Sequence, residues 1–294
     1  MDQTAQTTTP DWLKLDNAAK IYPSSHSDVA PKVFRVGMRL DAPIRLSALQ
    51  EALERTIKRC PYYQVHLRRG FFWYYLQRHR SVPSIQLLSD EPITNVRMRS
   101  PDEHLFRVQA RDSTVAIDFS HVLTDGAGGM TFLATLVAEY LRQRGHAVPS
   151  GGVVLDTDEH PRRAEFEDAF RSLYRTESPP PEKLSAAFHV PGPNVEHYRI
   201  ITGTMPVENM LEQARGRKVS LTEYLVGIYL NSLMTIRDRI IEYRHGLRPP
   251  RGVIRIEVPV DLRRLHPSPT MRNFSLFVSP EIDLRLGRYS LEEA

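Results

Sequence analysis

Six residues, His121 to Gly126 (HVLTDG), have the types and spacing to do chemistry: an imidazole stands four positions ahead of an Asp-Gly pair. A neutral imidazole near pH 7 can take a proton from an alcohol or amine as that group attacks a thioester carbonyl, then return it to the departing thiolate. No covalent intermediate on the protein is needed. Asp125 is expected to be structural, turning back onto backbone amides or an arginine so that the loop holds the histidine still. Gly126 reads as a position where a Cβ would collide or where φ must be positive. Gly128 and Gly129 read as a close backbone approach beneath a substrate.

The flanking pattern says what must position these groups. Ser113 to Phe119 alternates, with Val115, Ile117 and Phe119 on one face, which predicts a strand. After the glycines, Met130, Leu133, Leu136, Val137, Tyr140 and Leu141 recur at helical spacing, so an amphipathic helix is expected from Gly128 to about Arg144. His121 therefore belongs where a strand ends and a helix is about to begin.

With those residues in view, HVLTDG resembles the HHxxxDG signature of the acyl-CoA-dependent acyltransferase superfamily. That group includes chloramphenicol acetyltransferase, plant acyltransferases, peptide-synthetase condensation domains and bacterial alcohol acetyltransferase-like proteins. Three more stretches are similar to the last group in the same order: WLKLDNAAKIYPS from Trp12, VSLTEYLVGIYLNSLM from Val219, and VPVDLRRLHPSPTMRNFSLFV from Val258. The resemblance runs from Trp12 to about Asp283. It implies a two-domain α/β fold with mixed sheets flanked by helices, and an active site at the domain interface with a channel for both substrates.

Carried over residue by residue, the resemblance makes His121 the general base, with Asp125, Gly126 and Arg263 structural at the active site. Arg263 could equally be a solvated arginine beside Arg264. The first histidine of the signature is Ser120 here. Ser120 and Asn273 are the candidates for substrate contacts, although Asn273 could instead pin a loop. Ser120 and His121 do not make a nucleophile and base pair, because adjacent residues at a strand end face opposite ways and no GxSxG elbow surrounds the serine. A metal site is not expected, since His121 and Asp125 lack a third ligand at suitable spacing. The resemblance implies no tightly bound cofactor. Its donor would be acyl-CoA or an acyl carrier protein thioester, and its acceptor a small alcohol or amine. Two rival readings remain: a noncatalytic, degenerate or truncated module that binds an acyl carrier protein or partner enzyme, and an esterase that uses water as acceptor.

Composition bounds the class. The chain has 294 residues, 41% hydrophobic and 25% charged, ordinary for a globular protein large enough for two domains. Its 39 basic against 35 acidic side chains leave only +4, which does not favour nucleic-acid binding. The aromatic run FFWYYL reads as the second strand of a hairpin turned at Arg69 and Gly70, its rings shared between core and acceptor channel. One cysteine, Cys60, excludes an internal disulfide and suits a reducing cytoplasm. The polar amino terminus does not read as a secretory signal, and no stretch approaches the roughly 20 apolar residues of a membrane span.

Punctuation gives the organisation. A strand is expected at Val33 to Leu40, a helix from a Ser47 and Gln50 capping box to Arg59, and paired strands at Gln64 to Leu67 and Phe71 to Leu76. Another strand at His104 to Ala110 precedes the motif. The expected domains are residues 1–145, carrying the motif, a Pro-rich crossover at 146–195 with one helix at Ala164 to Arg175, and a partial second domain at 196–294. The last should contain a strand at His197 to Thr204, a helix from Val207, a long helix capped by Ser220 and Glu223 that reaches Tyr243, and a strand at Val253 to Val258. Ser290 with Glu293 is a further helix-start signal beside the last residue, Ala294, which suggests an interrupted second domain.

Overall fold

A computed structural model describes residues 10–25, 31–89, 103–175, 184–190, 200–243 and 252–293. In chain order the elements are β1 (Trp12–Lys14), α1 (Tyr22–Ser25), β2 (Val33–Arg39), α2 (Leu46–Arg59), β3 (Val65–Arg69), β4 (Tyr74–Arg78), β5 (Gln86–Leu87), β6 (Phe106–Arg111), β7 (Thr114–Ser120) and α3 (Gly126–Gln143). They continue with α4 (Ala169–Leu173), α5 (Val207–Gly216), α6 (Leu221–Tyr243), β8 (Val253–Arg255), β9 (Val258–Asp261), β10 (Ser275–Val278) and β11 (Glu281–Asp283).

Packing divides the chain into two units. The first holds residues 1–176 together with 261–275, and the second holds 177–260 with 276–294. Residues 146–176, placed by sequence in a crossover, thus pack with the first unit. So does the VPVDLRR-to-MRNF segment from Asp261, although its neighbours in sequence on both sides belong to the second.

In the first unit a four-stranded sheet runs β2-β7-β6-β5, and β1-β4-β3 forms another. Central strand β7 pairs antiparallel with both neighbours, matching Phe34 and Phe106 to Phe119. Its alternation works as read: Val115, Ile117 and Phe119 are fully buried. That face meets α3, whose Phe132, Leu133 and Leu136 are also fully buried, and α2 packs on α3 in turn. Tyr63 stacks on Phe132 at 4.8 Å between centroids, and Phe106 and Phe119 complete an aromatic knot at the base of the motif. Each such ring contributes about 1.5–3 kcal/mol by leaving water. The opposite face of β7 is polar yet covered. Asp118, fully buried, takes hydrogen bonds from Arg35 of β2 (2.6 Å) and Arg107 of β6 (2.9 Å), so paired charges close that side.

In the second unit β8 pairs with β11 and β9 with β10. Helix α6 starts as its sequence says: Ser220 N–H donates to Glu223 (2.7 Å) while Glu223 N–H donates back to the Ser220 hydroxyl (3.2 Å). Leu230 and Met234 of α6 are buried in a small core with Ile254 and Ile282.

Several expectations need correction. The Ser47 and Gln50 capping box does not form. Helix α2 begins at Leu46 after Arg45, and Gln50 instead bridges to the Pro83 carbonyl and Ile85 N–H, fixing the chain after β4. The hairpin's second strand starts at Tyr74, so Phe71, Phe72 and Trp73 lie in the turn and are exposed rather than shared with a core. Residues 200–204 form no strand, with Ile200 and Ile201 exposed, and 197–199 lie outside the described residues. The helix expected at Ala164 to Arg175 is cut to α4, preceded by a short 3-10 turn at Arg163–Glu165, because Glu165 is drawn inward to Arg59 (2.7 and 2.8 Å).

Three imidazoles also meet here: His66 of β3, His79 after β4 and His104 before β6, with centroids 5.4 Å and 4.1 Å apart in sequence order. Burial, with the neighbouring His79 and His66 adding to it, pushes His104 down to about 4. A histidine lowered by folding stabilises the fold in its neutral form. That contribution is full above the ordinary value of 6.5 and is lost as the pH falls through the folded value of about 4. The melting temperature should therefore drop across that interval, and H104F should make the drop shallower. An unchanged slope in H104F would contradict the assignment.

Candidate active site

His121 is the first residue past β7. Its N–H donates to the Lys32 carbonyl (3.0 Å), which extends the β2–β7 pairing by one step and fixes where the side chain leaves the sheet. Its ring stacks on Tyr22 at 5.1 Å and leans on Phe34 at 4.6 Å. Nδ1 is buried without a hydrogen-bond partner among the described residues. Burial lowers the pKa of the imidazole below its ordinary value, against the opposing charge of Asp125. Burial thus favours the neutral ring, the form that can take a proton, and the Asn273 side chain beside it opposes the shift.

The loop under the ring is clamped at several points. Asp125 caps α3, with Oδ1 accepting from Gly128 N–H (3.0 Å). Its other oxygen accepts from Arg263 Nη1 (2.8 Å) and Phe274 N–H (2.7 Å). A carboxylate serving three donors, 4% exposed, is a structural tie and an anion at a helix N-terminus. Arg263 is equally committed, donating to the carbonyls of Thr270 (3.0 and 2.9 Å) and Arg272 (2.6 Å) and to Asp261 (3.0 Å). Its guanidinium holds the 261–275 segment in a loop and ties that loop to the motif.

Asn273 completes the hold. Its Nδ2 donates to the His121 carbonyl (2.9 Å) and to Asp16 (3.1 Å), and the residue is 1% exposed. Those bonds pin the loop, the second role considered for this residue from sequence. Asp16 was not singled out by its sequence setting. It accepts Ala19 N–H (2.8 Å) and pairs with buried Arg272 (3.2 Å), and burial raises its carboxyl against the pull of Arg272 and Asn273. The available signal was its place as an acidic residue three ahead of a short helical turn. Ser120 is fully buried and its hydroxyl accepts from Val122 N–H (3.3 Å), so it shapes the turn and offers no surface to a substrate. Among the described residues no group of three or more His, Cys, Asp or Glu side chains is placed to hold a metal ion.

The expectation for the glycines holds in part: Gly128 and Gly129 are close backbone approaches, and Gly126 is not. A Cβ at Gly126 would meet nothing within 4 Å, and its φ is not positive, so neither reason given for it holds. The close approach is at Gly128. A Cβ there would overlap the Thr124 hydroxyl, lie 2.5 Å from the Met271 carbonyl and 3.0 Å from the Tyr63 hydroxyl. Thr124 and Tyr63 both hydrogen bond that carbonyl, at 2.7 and 3.0 Å. A Cβ at Gly129 would lie 3.1 Å from the rings of Phe34 and Phe119. The bare backbone thus lets the 261–275 loop and two rings come close, and the partner beneath it is protein rather than substrate.

No protein-family model matches the sequence, and no curated protein does. Solved structures do match. TRI101 of F. graminearum, complexed with coenzyme A and deoxynivalenol, superposes with a TM-score of 0.60 at 12% identity, covering 96% of this chain and 72% of that one. Polyketide synthase associated protein 5 from Mycobacterium tuberculosis gives 0.56 at 14% identity, covering 95% and 69%. The first condensation domain of the calcium-dependent antibiotic synthetase, solved with a substrate analogue, gives 0.53 at 14%, covering 92% and 69%. The chain has the two-domain α/β fold of the chloramphenicol acetyltransferase-like, CoA-dependent acyltransferases.

The clamp makes sharp demands. In D125N one amide NH2 must face a donor, either Gly128 N–H or the Arg263 and Phe274 pair, so the variant should lose about 3 kcal/mol of stability. G128A should cost about 1–3 kcal/mol by overpacking, whereas G126A should be tolerated. Chemical denaturation of the three variants checks this; equal effects of G126A and G128A would contradict it.

Proposed function

We infer that this chain catalyses acyl transfer from an acyl thioester to a small alcohol or amine, with His121 as general base. The observation that carries the reading is the half-buried imidazole at the end of β7, favoured in its neutral form by burial, on a loop held by Asp125, Arg263 and Asn273. The fold adds support, since solved proteins that share it include one complexed with coenzyme A and deoxynivalenol.

The chemistry balances without a covalent enzyme intermediate. The acceptor's O–H or N–H proton passes to the imidazole as its heteroatom adds to the thioester carbonyl. The tetrahedral adduct collapses, the C–S bond breaks, and the imidazolium returns the proton to the thiolate. A neutral ring at rest is the required starting state, and burial supplies it. Asp125 has its oxygens turned to Arg263, Phe274 and Gly128, so it acts as a positioning residue. Coenzyme A is the donor class favoured, with a carrier-protein thioester the related possibility, and no resident cofactor enters the scheme.

The test is thiol release from acetyl-CoA and longer acyl-CoA thioesters, with and without a panel of alcohols and amines. Release should depend on the acceptor, and H121A should lower turnover by about 10²–10⁴ while retaining a cooperative thermal transition. Full acceptor-dependent activity in H121A would overturn the role of the imidazole. Equal release without any acceptor would point to hydrolysis instead.

A further inference from the structure

We propose that the tip of the β3–β4 hairpin is a membrane-docking wedge that seats on an anionic lipid surface. The inference is independent of the proposed catalysis and uses residues apart from that site. Phe71, Phe72 and Trp73 follow one another through the turn and are 87%, 83% and 63% exposed. Water contact of three successive aromatic rings is costly unless something covers them. The turn that presents them is firm. Gly70 N–H donates to the Trp73 carbonyl (2.7 Å), closing the loop, and Phe71 and Phe72 pack edge to face at 4.5 Å, forming one apolar point.

The charge behind the tip selects the occupant. From Gln64 to Ser89 there are four arginines, Arg68, Arg69, Arg78 and Arg80, and no carboxylate, so this stretch alone carries as much positive charge as the net +4 of the whole chain. All four are exposed. Arg68 and Arg69 begin the neck directly below the rings. On the same sheet Lys14 pairs in register with Tyr75, adding a further exposed cation. Trp12, 53% exposed, packs against Tyr75 and continues the aromatic surface down the strands. An apolar point, then amphipathic aromatics and long cationic side chains, is the sequence of chemistries met on passing from acyl chains through the headgroups to water.

A protein partner fits the same charges less well. Stable protein interfaces bury about 800 Å² on each side, and a convex point of three residues offers little flat area, whereas a fluid lipid surface closes around a wedge of any shape. The anionic leaflet also contributes about 1 kcal/mol for each nearby Lys or Arg, or roughly 5-fold in partitioning.

The full chain is mixed with vesicles of phosphatidylcholine alone and of equimolar phosphatidylcholine and phosphatidylserine, and bound protein is measured by co-sedimentation. Binding should require phosphatidylserine and weaken as salt is raised. It should fall roughly 5-fold for each arginine removed in R68Q, R69Q and their combination, and be lost in F71S/F72S/W73S. These positions are exposed, so circular dichroism and the melting temperature should be unchanged in all of them. W12F leaves Trp73 as the only tryptophan of the two in the chain, and its emission should shift to the blue on binding. Failure to bind the anionic vesicles at low salt would overturn the proposal. So would binding that survives the triple serine variant, or a Trp73 emission that stays that of a water-exposed indole while the protein sediments.

Discussion

The Asp125 carboxylate is the tie on which the rest of this site depends. It joins three separated parts of the sequence: the start of α3 through Gly128, the guanidinium of Arg263, and the backbone of Phe274. Without a buried anion there, the Gly128 and Phe274 N–H groups would lose their acceptor, and Arg263 would lose one of its two carboxylate partners. Arg263 in turn fastens the carbonyls of Thr270 and Arg272, so one ion pair organises both the motif and the loop that lies over it.

From that tie the position of His121 follows. The β2–β7 register sets the height at which the ring emerges, Asn273 holds its carbonyl, and Tyr22 and Phe34 wall the imidazole on two sides. Their packing removes water and lowers the ring's proton affinity, while Asp125 limits the shift. The neutral resting state of the ring is thus a product of packing: the same histidine on an open loop would spend its time hydrogen bonded to solvent.

Much of the fold was legible in the sequence where its signals are local. The alternation of Val115, Ile117 and Phe119 gave β7, the three- and four-residue spacing after Met130 gave α3, and the reciprocal Ser220 and Glu223 signature gave the start of α6. The same kind of signature misled at Ser47 and Gln50, where long-range bonds to Pro83 and Ile85 claim the glutamine. Gly128 reads from sequence as a close backbone approach, but its partner does not, for a related reason. What makes Gly128 indispensable is a carbonyl at Met271, far away in sequence, which no local pattern announces. Asp16 was passed over because its partners, Arg272 and Asn273, come from the other end of the chain. The exposed turn at Phe71 was masked by composition, since an aromatic run reads as core until the strand is seen to begin at Tyr74.

The most direct test of the account is the titration of the His121 ring, followed by NMR with H121Q to assign its resonance, in the intact protein and in R263Q. The account predicts a midpoint below 6.5 in the intact protein, and a ring that moves toward solvent-like behaviour once Arg263 no longer holds the clamp. A His121 that titrates at the ordinary value in both proteins would contradict it.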